Sequence, residues 1–162
     1  MAVQGLYKVA RRVLVKQIEL THEGGRRMQT EETRALIKTY YATLPTGNRD
    51  KLASLFTDDV EWYPPESAPL AVIKGREAVT RELGGETPKR IFDMKTFRLT
   101  IHRILADGAI AVVQHSISAK TRAGEQYDNE YCWVYHCRDG KIAKIEEYAD
   151  THKAARIMKW EN

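Results

Sequence analysis

The chain has 162 residues, of which 43% are hydrophobic and 30% charged, and a net charge of +4. That is one domain with material for a real core; no apolar run approaches the ~20 residues that cross a bilayer, and no apolar stretch followed by small residues marks a secretory signal. The basic surplus is confined to residues 1–28, where six Lys/Arg face Glu19 and Glu23, while residues 29–162 balance at twenty basic to twenty acidic. A neutral body argues against a nucleic-acid partner, which needs a positive stripe on the folded surface.

In chain order, residues 2–20 set Val3, Leu6, Ala10, Val13 and Ile18 at helical spacing beside Lys8, Arg11, Arg12 and Lys16, as in a basic amphipathic helix. Three readings stay open: a targeting or membrane-surface segment, against which Glu19 and Glu23 count; a helix packing on the domain or on a partner subunit; or an upstream translation product ahead of Met28. His22 to Arg27 reads as a linker. The chain therefore divides into a leader, 1–28, and a single domain, 29–162.

Thr30 suits an N-cap with Glu31 and Glu32 in the first turn. Leu36, Ile37, Tyr40, Tyr41 and Leu44 mark one helical face, ended by Pro45-Thr46-Gly47. A short helix is expected over Asp50 to Phe56 and a strand over Val60 to Tyr63, stopped by Pro64-Pro65. Another helix runs from Gly75 to Leu83, closed by Gly84-Gly85. Then Phe97 to Leu105, Ala109 to Thr121, Tyr127 to His136 and a last run ending near Asp150 read as strands. Asp107-Gly108, Arg122 to Glu125 and Asp139-Gly140 turn the chain between them, giving a four-stranded antiparallel meander. Thr151 to Trp160 reads as a short closing helix. Helices precede strands, so the class is α+β, a curved antiparallel sheet wrapped around N-terminal helices.

Tyr127, Asn129, Tyr131, Trp133 and Tyr135 fall on one strand face, and of the adjacent Glu146 and Glu147 on the returning strand one must face the packed side. A carboxylate and an amide among aromatic rings suit the lining of a ligand cavity. Glu147 is the candidate acid/base, since burial raises a carboxyl toward neutral pH; its structural alternative is to accept hydrogen bonds from Arg103 or a tyrosine and order the pocket. His115 is a second titratable candidate, or a packed histidine. Asn129 with Gln114 can fix a ligand oxygen, or the amide can satisfy a bulged backbone. Trp62, Tyr63 and Trp133 can stack on a flat ligand or fill core, Tyr131 on the aromatic face is a further ligand-binding candidate, and Tyr40 can donate into the pocket or lie buried. Cys132 and Cys137 lie five apart on one strand, on opposite faces, so they cannot bridge and are expected as reduced thiols in a cytoplasmic protein. The five histidines show no paired spacing and neither cysteine sits in C-x-x-C, so no metal site is expected. Phosphate-loop, dinucleotide and G-x-S-x-G motifs are also lacking.

The element order, with L-x-x-L-F-x-x-D-V-x-W at Leu52 to Trp62, G-R-E-A-V at Gly75 to Val79 and D-G-K-I…E-Y-x-D at Asp139 to Asp150, resembles the nuclear transport factor 2-like superfamily, its SnoaL-like and ketosteroid-isomerase-like branch. The resemblance covers about residues 30–155. It implies a cone-shaped sheet enclosing a deep, largely apolar pocket, and a homodimer formed through the sheet. In ketosteroid isomerases a first-helix tyrosine matches Tyr40, while the base position falls on Pro64 and the partner aspartate near Cys132, so two of three parts are absent. For limonene-epoxide-hydrolase-like members the matching positions are Gln114, Ser116 and Glu147, of which only Glu147 is a carboxylate. His102 and His115 with Asn129 resemble the scytalone-dehydratase set at a different spacing. The acid of SnoaL-type cyclases matches Asp128 or Glu130, both on the strand face opposite Asn129. The resulting expectation is a small-molecule pocket protein, a cofactor-free isomerase, cyclase or dehydratase acting on an apolar or aromatic carbonyl or hydroxyl compound. The alternative is a non-catalytic ligand binder or dimeric adaptor of the same fold.

Overall fold

The computed structural model describes residues 28–159; the reading of the leader lies outside them. Helix α1 (Thr30–Thr43) leads through a single tight turn, Leu44–Thr46, to α2 (Arg49–Ser54) and strand β1 (Phe56–Tyr63). Strand β2 (Ile73–Lys74), α3 (Arg76–Arg81), a kinked turn Glu82–Glu86 and α4 (Thr87–Ile91) follow. The long strands β3 (Phe92–Asp107), β4 (Ile110–Thr121), β5 (Gln126–Arg138) and β6 (Lys141–Ala149) form the meander, and α5 (Thr151–Met158) closes it. The sheet is curved and unclosed, in the order β2-β1-β6-β5-β4-β3. The α+β architecture is as expected, with two additions: β1 joins β6 in parallel, and α4 follows the Gly84-Gly85 kink, where Gly85 takes φ 116°.

Several boundaries shift for identifiable reasons. Gln29, not Thr30, caps α1: the Glu32 carboxylate accepts from the Gln29 N–H at 3.1 Å, the return half of a capping box. The Thr30 hydroxyl is engaged elsewhere, accepting from Gly108 N–H at 2.9 Å, while Thr33 donates to the Gly108 carbonyl at 2.6 Å. Gly108 in the β3–β4 turn is thus held through both its N–H and its carbonyl by two threonines about one helical turn apart. Strand β1 begins four residues early, at Phe56, because Phe56 pairs with Ile142 of β6. Met28, placed at the end of the leader by composition, is buried in the core and its sulfur accepts from Gly140 N–H at 3.0 Å. The Asp139-Gly140 turn has φ of 53° and 76°, the paired positive values of a type I′ hairpin.

The alternation expected along β3 does not persist. His102 is an extra residue between the Ile101–His115 and Arg103–Gln114 pairs, a bulge that reverses the faces beyond it. Phe97 and Leu99 point inward before it, Ile104 and Ala106 after it, leaving Ile101 and Leu105 exposed. The main core lies between α1 and the sheet, built from Ile37, Tyr40, Tyr41, Phe56, Val60, Tyr135 and Ile145. A smaller core joins Phe92, Ala119 and Tyr127 to Ala154 of α5. Asn129 ties that end together: its amide nitrogen donates to Tyr127 Oη at 2.8 Å and to the Asp150 carbonyl at 3.1 Å, and its oxygen accepts from Glu130 N–H at 2.9 Å.

Removing both clamp hydroxyls leaves the Gly108 N–H and carbonyl without these partners. The double variant Thr30→Ala/Thr33→Val is expected to lose about 2 kcal/mol of unfolding free energy in urea, at roughly 1 kcal/mol per hydrogen bond; an unchanged midpoint would show that α1 does not depend on the clamp.

Candidate functional site

Glu147 projects from the inner face of β6, directly across from Trp133 on β5. Trp62 comes from β1, whose parallel pairing sets it beside Ile145, and its indole N–H donates to Glu147 Oε2 at 3.1 Å. The ring of Trp133 lies 6.1 Å from that of Trp62. Glu147 is half-buried as a residue, but burial dominates its ionisation: loss of hydration raises its pKa to about 7, against a smaller lowering by the Trp62 hydrogen bond. Its neighbour Glu146 turns to the other face, where His136 and Lys144 each approach to 2.7 Å. There burial is outweighed by the hydrogen bonds from Lys144 and His136, and its pKa is lowered.

His115 is 1% exposed. Its ring stacks on Tyr131 at 5.1 Å and 6° and meets Trp133 edge-on at 5.4 Å. Burial lowers its pKa to about 4, so the imidazole is neutral at pH 7. Its Nδ1 lies 3.4 Å from the hydroxyl of Tyr41, which also bonds the hydroxyl of Tyr135 at 2.7 Å. Tyr131 bonds Tyr127 at 2.6 Å. The hydroxyls of Tyr40, Tyr41, Tyr127, Tyr131 and Tyr135 are all held above the usual range, mainly by burial, and each also feels the Glu147 charge. The acid therefore sits at the electrostatic centre of the aromatic layer.

The structure brings together Glu147, Trp62, Trp133, His115 and Tyr131, all named from sequence. It separates Gln114 from them. Alternation puts Gln114 on the outer face, paired with Cys132 and Arg103, while His115 beside it points inward, so the two cannot serve one pocket. Gln114 instead borders an open recess of about 520 Å³ with His102, Glu130 and Tyr148. Asn129 does face inward, across from Ile117, but its amide is committed to Tyr127, Asp150 and Glu130 rather than turned toward a ligand. Tyr40 is a core ring against Phe56 and Tyr135. The first-helix tyrosine whose hydroxyl reaches His115 is Tyr41, one residue on. The Tyr40-Tyr41 pair on the predicted apolar face was the available signal, and only tertiary packing separates their roles.

Behind the acid, between α1 and the sheet, Tyr40, Tyr41, Phe56, Trp62 and Tyr135 are buried in one core cluster. The recess that reaches Glu147 is a groove of about 650 Å³ at the sheet rim, lined by Tyr63, Pro64, Pro65, Glu146, Glu147 and Thr151. Pro64-Pro65, read from sequence as a strand stop, is one wall of that groove. Among the described residues no group of three or more His, Cys, Asp or Glu side chains is placed to hold a metal ion, and no helix is long and apolar enough to cross a membrane. Cys132 and Cys137 are both unbridged, and burial pushes the Cys137 thiol up to about 12.

No curated protein matches the chain. Among solved structures it is similar to an NTF2-like protein from Burkholderia xenovorans LB400, at 20% identity over 81% of this chain and 98% of that one, TM-score 0.68. It is similar to TerC co-crystallised with polyporic acid, at 20% identity over 80% and 99%, TM-score 0.67. It is also similar to an LEH-like epoxide hydrolase from M. tuberculosis, at 21% identity over 80% and 91%, TM-score 0.61. At these identities the likeness establishes a shared fold. The sequence profile of the SnoaL-like domain matches residues 37–145, from within α1 to the middle of β6, ending two residues before Glu147. With that match, the chain belongs to the SnoaL-like family and carries the NTF2-like fold.

Proposed function

We propose that this protein binds a small apolar or aromatic carbonyl or hydroxyl compound and moves a proton on it without a cofactor, with Glu147 as the acid/base. The observation that carries the reading is a carboxyl with a pKa of about 7 that lines the rim groove and has one oxygen fixed by Trp62. Near neutral pH such a group is present in both forms, so it can take and return a proton in one cycle. In the isomerase form of the reaction the carboxylate removes a proton from the carbon beside a carbonyl. The C–H bond breaks, its electron pair forms the enolate double bond, and negative charge moves to the oxygen. Where a C=C lies β,γ to the carbonyl the anion is a dienolate, and protonated Glu147 then delivers the same proton to its γ-carbon, so that the double bond moves into conjugation and the carbonyl re-forms. His115, neutral and enclosed, serves in this reading as a wall that orients Tyr131 and Trp133 rather than as a second proton carrier. A fold relative co-crystallised with polyporic acid supports a small-ligand role. The committed Asn129 amide favours a second reading, a carrier that binds such ligands unchanged. Homodimerisation through the sheet belongs to the same proposal, supported by Leu105, Ile110 and Tyr148 exposed on β3, β4 and β6.

Exchange of α-protons in a series of bicyclic aryl ketones in D2O, followed by NMR, tests the chemistry. The wild type is expected to accelerate exchange, and Glu147→Gln to reduce that acceleration at least about 100-fold. Binding without acceleration would establish the carrier, and a variant within a few fold of wild type would remove Glu147 from the reaction.

The electrostatics have a separate readout. Glu147 holds its proton more tightly folded than unfolded, so its stabilising contribution is full below pH 4.5 and is lost as pH rises through about 7. His115 acts in the opposite sense, stabilising above pH 6.5 and losing that contribution as pH falls through about 4. The slopes oppose each other where the windows overlap, so the informative quantity is wild type minus Glu147→Gln. That difference in unfolding free energy is expected to fall by about 2–3 kcal/mol as pH rises across the Glu147 window; a flat difference would mean a hydrated carboxylate. In sedimentation velocity, Leu105→Glu is expected to convert a dimer to monomer, and a monomeric wild type would end the dimer proposal.

A further inference from the structure

We propose that the segment joining β1 to β2, residues 64–72, is a lid that closes over an apolar ligand in the rim groove, with Leu70 and Val72 as the side chains that cover it. The inference rests on the small-ligand reading of that groove and adds the residues that set its preference for apolar compounds.

The segment leaves the sheet because Pro64 and Pro65 end the β1–β6 ladder. Tyr63 is the last β1 residue paired with β6, opposite Glu146, and two successive residues without an N–H do not carry the pairing further. Strand β6 nevertheless continues to Ala149. The space beside its last residues is the groove, lined by Pro64, Pro65, Glu66 and Ser67 and reaching Glu147. The first part of the segment therefore already borders the site.

The segment is held at its ends and loosely tied between them. Trp62 pairs with Ile73 and Glu61 with Lys74, and Gly75 N–H donates to the Val60 carbonyl at 2.7 Å, so the two ends sit on neighbouring strands about 5 Å apart. Between them, Ala68 N–H donates to the Pro65 carbonyl at 2.8 Å and Leu70 N–H to the Ala68 carbonyl at 2.7 Å. Among the described residues, no hydrogen bond or ion pair joins residues 66–72 to the rest of the domain. A chain of that length extends to roughly 30 Å, several times the distance between its anchors. Loops that close over ligands are drawn from segments tied this lightly.

Its tip is apolar, reading Pro69-Leu70-Ala71-Val72, with Leu70 36% and Val72 39% exposed. Neither joins a hydrophobic core, whereas the adjacent Ile73 packs against the main one. Single exposed apolar side chains are ordinary. A pair of them on a lightly tied segment beside an open groove fits a surface that is buried when the groove is filled. Closure removes water from the groove and so from Glu147, which strengthens the interactions made there. An apolar ligand gains from that contact, while a charged one gives up hydration without replacement.

The test uses the full-length protein, 1-indanone as the probe, and backbone amide hydrogen exchange read by mass spectrometry. Saturating ketone is expected to slow exchange over residues 66–72 by about tenfold or more, together with that of residues 146–151. The double variant Leu70→Ser/Val72→Ser is expected to bind the ketone roughly tenfold more weakly. Its urea midpoint should be unchanged, because both side chains meet solvent in the free protein. Protection of 146–151 without protection of 66–72 overturns the lid and keeps the groove as the binding site; so does a double variant that binds as tightly as wild type. Protection of neither, up to the solubility limit of the ketone, removes the small-ligand reading and the lid with it. Measuring α-proton exchange in D2O on the same samples separates the chemistry: a protected segment without accelerated exchange keeps the lid, over a carrier's ligand, and removes the proton transfer.

Discussion

The indole of Trp62 meets the carboxylate of Glu147 where β1 lies parallel to β6, and the character of the inner face follows from that contact. A carboxylate carried into an aromatic layer loses hydration and would be costly there without compensation. One N–H donor lessens the penalty without cancelling it, which leaves the group ionising near neutrality rather than near 4.5. A cation in place of Trp62 would have favoured the charged carboxylate, as the Lys144 ammonium does for Glu146 one residue away. Adjacent acids on one strand thus acquire opposite properties because alternation sends one to the rings and the other to Lys144 and His136.

The same low-polarity layer accounts for His115 and the tyrosines. Burial lowers the affinity of an imidazole for its proton and raises that of a phenol, so at neutral pH all of these groups are uncharged and Glu147 alone in the layer is poised to change state. Their hydroxyls are not idle: Tyr41 with Tyr135 and His115, and Tyr127 with Tyr131 and Asn129, form two short networks that satisfy buried polar atoms. These networks fix the rings against helix α1 on one side and α5 on the other. The space that reaches the acid is a rim groove beside Pro64-Pro65.

Much of the fold was legible because it is written in local periodicity. The type I′ dipeptide Asp139-Gly140, the aromatic alternation of β5 and the apolar face of α1 each have one geometric solution. The choice of Glu147 over Glu146 followed the same logic. Where reading failed, a non-local contact or a break in period was responsible. The His102 bulge reverses β3 and cannot be seen in a sequence whose residues suit either face. Gln114 was paired with Asn129 by chemistry, although register sets Asn129 opposite Ile117 and parity sends Gln114 outward. Tyr40 was named because it matches the first-helix tyrosine of the ketosteroid isomerases; Tyr41 lies on the same buried face, and only the position of His115 on β4 shows that the Tyr41 hydroxyl reaches it.

The amino-acid order by itself determined the elements, the inward faces of β5 and β6 and the resemblance to a family, since these rest on spacings of two and about 3.6 residues and on turn chemistry. Tertiary structure decided what a one-dimensional pattern does not encode: the parallel seam that brings Trp62 to Glu147, the gathering of rings from separate elements into one core cluster, and the commitment of Asn129 to α5. Those depend on which distant segments share a volume, and the ionisation of Glu147 depends on that volume being dry.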